Sequence, residues 1–183
     1  MRFRRIIAAF IDIILVGLAF TLISSIIPSK STQERINKIE ELKLEEKNEE
    51  IDEILYELEK ENVKYYLIFS LIIIVYFIII PKYYKDQTYG QKVMKIRLVS
   101  EDEITFNTYT IRALMNSGII LLIFFSLFVY FLDIVWYSRV TSLILIIQIT
   151  YWLVSFVIFI ITKEAIHDKL TNSKIIEVKR WEN

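Results

Sequence analysis

The chain has 183 residues, of which 55% are hydrophobic, and its mean hydropathy is +0.44. This composition is too apolar for an ordinary soluble domain and indicates an integral membrane protein. Basic and acidic residues number 22 each and cysteine is absent. The net charge therefore gives no sign of a nucleic-acid partner, and disulfides, thiolate metal sites and thiol nucleophiles are excluded.

Four apolar stretches are long enough to cross a bilayer as helices, because about 20 helical residues span about 30 Å. They cover residues 6–27, 63–80, 113–135 and 140–161. Pro28 and Pro81 follow the first two stretches, where a residue that ends a helix is expected. Gly17 and Gly118 are interpreted as points of close helix approach. The predicted fold is an all-α integral membrane protein with four transmembrane helices, forming a single domain over residues 1–183.

The first stretch carries a carboxylate, Asp12, inside an otherwise apolar run. A charged side chain at bilayer depth costs a few kcal/mol, so an intramembrane acid is a candidate functional residue by default. Arg2, Arg4 and Arg5 precede the stretch with no acid among them. By the positive-inside rule, they place the N-terminus in the cytoplasm.

Residues 29–62 form a highly charged segment between the first two stretches and contain no glycine or proline. Two short apolar stripes at helical spacing, Ile36–Leu42 and Ile51–Leu58, predict helices. One long helix and a helix-turn-helix both satisfy this pattern. The segment is predicted to be a helical extracytoplasmic insertion, serving either as a solvated charged surface or as a protein-binding surface.

The cytoplasmic loop, residues 81–112, is rich in lysine and contains the sequence KVMKIRLVSEDEITF. Its apolar residues before and after an acidic turn predict a short β-hairpin or surface ribbon. The cytoplasmic tail, residues 163–183, contains SKIIEVK as a second extended candidate. If the two segments pair, a small cytoplasmic sheet forms whose edge strand comes from the tail. The topology then closes with both termini in the cytoplasm and the chain in the cell membrane as a multi-pass protein.

Three separated motifs make the chain similar to the RDD family of membrane proteins, named for one arginine and two aspartates. RIIAAFID carries Arg5 and Asp12, and AIHDKLTNSKIIEV carries the second aspartate, matched to Asp168. DQTYGQK resembles the family's loop motif, whose matched positions are Gln87, Thr88, Gly90 and Lys92. The resemblance covers the frame of the chain and leaves residues 29–62 as an insertion. It implies a shared membrane fold without a defined activity, since ion or solute transport and membrane scaffolding have both been proposed for members.

The signature charges need partners, because Arg5 and Asp12 lie about 10 Å apart along one helix and cannot satisfy each other. The candidate ion-pair partners at the cytoplasmic end are Arg112, Lys163 and His167. We expect Arg5 to pair with Asp168, and Asp12 to pair with Arg112 or Lys163. These pairs would hold the helix ends together, whereas a titrating Asp12 would be a cation or proton site.

Two functions compete on this evidence. The sequence contains no nucleophile with a base, no metal cluster and no phosphate loop, which favours a non-enzymatic membrane module or scaffold without cofactors. Its partners would be the lipid bilayer, proteins bound at the insertion or the cytoplasmic face, and a second copy of the chain. The alternative is a small cation/proton antiporter that uses Asp12. The absence of internal repeats and of spans broken by glycine or proline argues against transport.

Overall fold

The computed structural model describes residues 1–27, 32–44, 47–100 and 103–178. The described helices and strands are, in chain order, α1 (Arg2–Ile26), α2 (Thr32–Leu44), α3 (Asn48–Ile74), a π-helical turn (Val75–Ile79), α4 (Ile80–Tyr83), α5 (Tyr89–Val93), β1 (Ile96–Ser100), α6 (Phe106–Asn116), α7 (Ile119–Phe131), α8 (Ile134–Thr162), α9 (Ile166–Leu170) and β2 (Ser173–Glu177). The predicted all-α membrane class with a small sheet is confirmed.

Three of the described helical segments are long and apolar enough to cross a membrane: Arg2–Ile26, Glu49–Tyr83 and Ile134–Thr162. The pair α6 and α7 counts as a fourth span only if both helices are taken together. Between 17% and 22% of the most apolar window of each long segment is buried inside the chain. The remaining surface is a broad apolar face, which requires lipid around the helices.

The predicted third span, residues 113–135, is not one straight helix. α6 and α7 meet at an angle of 72°. Gly118 stands at the junction with φ +71°, a left-handed conformation that other residues adopt only with strain. Gly118 therefore turns the chain, whereas a Cβ on Gly17 would have no atom within 4 Å, so no close approach requires that glycine. The break removes one sequence argument against transport.

The second span contains a wider helical turn. The N–H of Ile80 donates to the carbonyl of Val75, which is the hydrogen-bond pattern of a π-helix. Single π turns in membrane and soluble helices are frequent near functional sites because they shift the side chains that follow. This turn includes Tyr76, whose hydroxyl reaches the first span.

The charged segment folds as two helices, α2 and α3, and residues 45–46 between them lie outside the described part. Leu42 and Ile51 are both buried, whereas Leu55 of the second apolar stripe is exposed. We call this pair of helices the charged hairpin (residues 32–62). α3 continues without a break past residue 62, the predicted end of the insertion, into the second span. The hairpin is thus joined to the membrane by a continuous helix.

The predicted hairpin within residues 81–112 does not form, and the alternative arrangement, in which this segment pairs with the tail, is the one present. β1 pairs with β2 in antiparallel register, with Leu98 opposite Ile175. Residues 103–105 form no strand, and α6 begins at Phe106. Leu98 and Ile175 both pack against Ile78 and its neighbours in the core, which gives the tail strand a buried face that a local hairpin would have lacked.

Candidate functional site

The first polar site joins three charged side chains from distant parts of the chain. Asp168 in α9 is almost fully buried, with 1% of its side chain exposed. Its Oδ2 accepts a hydrogen bond from Arg5 Nη2 at 2.5 Å, and its Oδ1 accepts one from Arg112 Nη1 at 2.6 Å. We call these residues the Arg–Asp–Arg cluster. The predicted contact between Arg5 and Asp168 is present.

Neighbouring groups supply further contacts to this cluster. Arg5 also donates to the carbonyl oxygen of Lys163 at 3.1 Å, and its guanidinium lies 4.7 Å from the ring centre of Phe159. Arg112 donates to the hydroxyl of Ser173 at 2.8 Å. Asp168 additionally accepts from the backbone N–H of Ala165, at the start of α9. The cluster thereby connects the first turn of α1, the end of α8, α6, α9 and the start of β2.

The cluster carries an excess of one positive charge. Burial opposes ionisation of Asp168, but the guanidiniums of Arg112 and Arg5 outweigh it and lower the pKa of Asp168 to about 2. Burial, together with the charge of Arg112, lowers the pKa of His167 to about 3. His167 is therefore neutral at pH 7, and its Nε2 lies 3.5 Å from Asp168 Oδ1. A neutral imidazole forms no ion pair, so the low pKa of His167 argues against its predicted role as an ion-pair partner at neutral pH.

The stability of the folded chain should fall with pH below about 6.5 because of His167. The unfolded chain binds a proton on this residue below pH 6.5, while the folded chain does so only near pH 3. Between these values the folded state loses up to about 1.4 kcal/mol per pH unit relative to the unfolded state. Asp168 adds a further loss only below about pH 4, where its unfolded form takes up a proton. Melting temperatures measured in detergent from pH 7.5 to 4.5 check this slope.

A His167→Gln variant is the matched control for this measurement, because glutamine keeps a nitrogen near Asp168 and does not titrate. We expect the slope of melting temperature between pH 6.5 and 4.5 to be smaller in this variant than in the parent. Equal slopes in the two proteins would contradict a neutral, buried His167.

The second polar site surrounds Asp12, which is 5% exposed in α1. Its Oδ1 accepts hydrogen bonds from the hydroxyl of Tyr76 at 2.6 Å and from the N–H of Gly90 at 2.7 Å. Its Oδ2 accepts one from the hydroxyl of Thr88 at 2.7 Å. We call these four residues the Asp12 site. All the described hydrogen-bond donors to this carboxylate are neutral.

The predicted pairing of Asp12 with Arg112 or Lys163 is wrong. Arg112 is committed to Asp168, and the side chain of Lys163 is exposed at the end of α8, where Lys163 contributes its carbonyl to Arg5. The loop after the second span folds back against α1, so its short helix α5 brings backbone and hydroxyl donors to Asp12. The spacing of residues along the sequence does not indicate that this loop packs against α1.

The loop motif that resembles the RDD family builds the Asp12 site. Thr88 is the N-cap of α5 and forms a reciprocal capping box with Gln91, which sets the orientation of the helix start. Gln87 donates to the carbonyl of Ile96, tying the loop to β1. Lys92 is exposed, with its ammonium 5.1 Å from the ring centre of Tyr84. Of the four motif residues, Thr88 and Gly90 contact Asp12, Gln87 ties the loop to β1, and Lys92 lies on the surface.

Gly90 is required because α5 approaches α1 too closely for a side chain. A Cβ at this position would stand 2.6 Å from Asp12 Oδ1 and 2.9 Å from its Cγ. With an alanine at position 90, α1 and α5 could not both keep their positions. We therefore expect Gly90→Ala to destabilise the protein by about 1–3 kcal/mol. Thermal unfolding in detergent measures the change.

Gly17→Ala is the control for this substitution, because it lies in α1 with open space around it. Alanine is the better helix former, so this variant should be neutral or slightly more stable. If both variants unfold at the same temperature, α5 does not contact Asp12 in the folded protein.

The sequence interpretation missed three participants in these sites: Tyr76, Ser173 and Asn116, whose amide lies 3.4 Å from His167 Nε2. Tyr76 could have been noticed as a hydroxyl within an apolar stretch, at a depth that suits a partner for Asp12. Ser173 and Asn116 carry no distinguishing pattern.

The apolar helices, the broken span and the two buried polar sites define a polytopic membrane protein. Comparison with known families matches residues 2–172, nearly the whole chain, to the RDD family. The chain belongs to the RDD family, as its motifs indicated. No curated protein and no solved structure matches it.

Proposed function

We propose that the chain is a non-enzymatic membrane module that contacts other proteins through its charged hairpin. The observation that carries this proposal is the continuous helical segment Glu49–Tyr83, which is 35 residues long. At 1.5 Å per residue it extends about 52 Å, which exceeds the hydrocarbon core by about 20 Å. The part in excess is the charged half of α3, which therefore projects from the membrane.

The projecting part has a strongly acidic surface. Residues 48–62 include seven acids and a single base, Lys60. The apolar residues Leu42 and Ile51 are buried within the hairpin, so the exposed faces of α3 present mainly carboxylates, among them Glu49, Glu50 and Glu53. A surface of this kind recognises a basic protein surface through charge complementarity. Because α3 continues into the second span, a protein bound there would contact a helix that also crosses the membrane.

A photo-crosslinking experiment tests this function in native membranes. A photoreactive phenylalanine analogue replaces Glu53 in the full-length chain, and the matched control carries it at Leu145, an exposed apolar position of α8. We expect position 53 to yield discrete protein adducts that weaken when Glu49 and Glu50 are both changed to Gln. Position 145 should yield lipid adducts instead. Absence of protein adducts at position 53, or adducts insensitive to the charge changes, would contradict the proposal.

We also infer that the charged hairpin lies outside the cell and that both termini and α5 face the cytoplasm. The arginines before α1 support this orientation under the positive-inside rule. Because the chain lacks cysteine, single-cysteine variants are clean reporters. In intact cells, a membrane-impermeant maleimide should label Glu49→Cys and spare Lys92→Cys, both at exposed positions. Labelling of position 92 with protection of position 49 would reverse the orientation.

A second function, cation/proton exchange, is supported by the environment of Asp12. The carboxylate lies in a membrane-spanning helix with neutral hydrogen-bond donors around it, and the bend at Gly118 breaks a neighbouring span. Such a carboxylate can exchange a proton for a cation without first leaving an ion pair. The neutral donors around Asp12 and the broken span together favour transport as the second function.

Flux measured in proteoliposomes decides this second function. If exchange occurs, a pH gradient should drive Na⁺ or K⁺ flux in the parent protein and in Asp133→Asn, but not in Asp12→Asn. Asp133 caps the start of α8 through the N–H groups of Val135 and Trp136, a role that asparagine also performs. Equal flux in the Asp12→Asn protein, or no flux in the parent, would exclude Asp12 as the exchange site.

A further inference from the structure

We propose that a cavity at the hairpin end of the membrane bundle binds a zwitterionic phospholipid whose headgroup carries a primary ammonium group. The cavity has a volume of about 500 Å³ and lies between α3, α7 and the first turns of α8. Its lining includes charged residues of both signs and apolar side chains: Asp52, Leu55, Glu59, Phe125, Val135 and Arg139. It is remote in the chain from both polar sites described above.

The cavity stands at the level where the apolar bundle ends. On α3 it begins in the charged half of the helix, at Asp52 and Glu59, and the apolar stretch begins only at Val63. On α8 it lies against the first two turns, directly after the turn at Asp133. The cavity therefore lies at the height of lipid headgroups whichever way the chain is inserted.

The negative side of the cavity belongs to α3. Asp52 and Glu59 are seven residues apart, almost two helical turns, and both line the cavity. Glu59 accepts a hydrogen bond from Tyr66 at 2.6 Å, which orients its carboxylate. An ionised carboxylate has about four lone-pair positions, so Glu59 retains acceptor capacity for an ammonium N–H. Asp52 is exposed and forms no ion pair within the described part of the chain.

The positive side belongs to α8. Arg139 is exposed, and its guanidinium lies 5.5 Å from the ring centre of Trp136. The guanidinium of Arg139 forms no ion pair with any residue that the structure describes. A guanidinium binds a phosphate through two parallel hydrogen bonds, and stacking on an indole holds its plane in place. The cavity thus offers a phosphate position on α8 and an ammonium position on α3.

The apolar lining favours a whole lipid over a free headgroup as the ligand. Leu55, Phe125 and Val135 line the same cavity and provide contacts for the upper acyl chains. A free headgroup would leave these side chains uncovered, and an anionic lipid without an amine would leave the two carboxylates without a cation. Phosphatidylethanolamine has all three features together.

Binding to the delipidated full-length protein in detergent tests the proposal. The probes are phosphatidylethanolamine, phosphatidylglycerol with the same acyl chains, and free phosphoethanolamine, measured by native mass spectrometry and by the shift in melting temperature. We expect one retained phosphatidylethanolamine and a higher melting temperature, with weaker effects from the other two probes. Equal binding of phosphatidylglycerol would overturn the headgroup assignment. Equal binding of phosphoethanolamine would overturn the assignment of a lipid.

Two substitutions place the site. Arg139→Gln and Asp52→Asn should each weaken phosphatidylethanolamine binding by about tenfold, because each removes a charge-assisted contact. Both residues are exposed, so the melting temperature without lipid should stay near that of the parent. Glu49→Gln, an exposed acid of α3 that does not line this cavity, is the control and should bind normally. Unchanged binding in both cavity variants would overturn the proposal.

Discussion

Replacing Asp168 by Asn is expected to prevent accumulation of the folded protein. The carboxylate is the acceptor shared by Arg5 and Arg112, and all three side chains are at least largely buried. Without it, two guanidiniums face each other with no countercharge. Removing one partner of a buried ion pair costs about 3–5 kcal/mol, a large share of the roughly 5–15 kcal/mol that stabilises a typical domain. Size-exclusion profiles of detergent-solubilised membranes measure the loss.

The double variant with Arg112→Gln provides the control for this prediction. It removes one of the two uncompensated charges, while Arg5 keeps its hydrogen bond to the carbonyl of Lys163 and its contact with Phe159. We therefore expect Arg112→Gln to restore part of the folded fraction lost in Asp168→Asn. A double variant that is less stable than Asp168→Asn would mean that packing, and not charge, dominates at this site.

Asp12→Leu is expected to release α5 from α1, whereas Asp12→Asn should leave it in place. Leucine removes the acceptor of three buried donors, namely the hydroxyls of Tyr76 and Thr88 and the N–H of Gly90. Each donor left unsatisfied costs about 1–3 kcal/mol. Asparagine keeps an acceptor oxygen for Tyr76 and Gly90. Its amide can donate to the Thr88 hydroxyl, which accepts as well as donates.

Melting temperature and limited proteolysis of the loop at residues 84–95 distinguish these two variants. The leucine variant should melt well below the parent and be cut in this loop, while the asparagine variant should lose about 1 kcal/mol or less. Equal destabilisation of both variants would show that the negative charge itself is needed for folding. A folded Asp12→Asn protein is also the condition that makes the flux measurement interpretable, since lost flux then reports chemistry and not unfolding.

The contrast between Asp12 and Asp168 shows why the pairing of charges was only half predictable. The motifs indicate both acids, and the predicted contact between Arg5 and Asp168 is present. The sequence pairs Asp12 with a cation because a buried carboxylate is expected to need one. Three neutral donors satisfy it instead, and two of them come from a loop whose return to α1 depends on the turn after Pro81 and on the close approach allowed by Gly90.

Properties that depend on local sequence were predictable, because they follow from the length, apolarity and periodicity of single segments. These include the membrane class, the helical character of the charged segment and the extended character of residues 96–100 and 173–177. Tertiary structure decided the bend at Gly118, the pairing of β1 with β2 and the partners of Asp12. Each of these depends on which surfaces meet after folding: the tail strand finds a buried face beside Ile78, and α5 finds an acceptor in α1. Hydrogen bonds and burial between distant segments leave no periodic signal in the chain, so only the folded arrangement of helices specifies them.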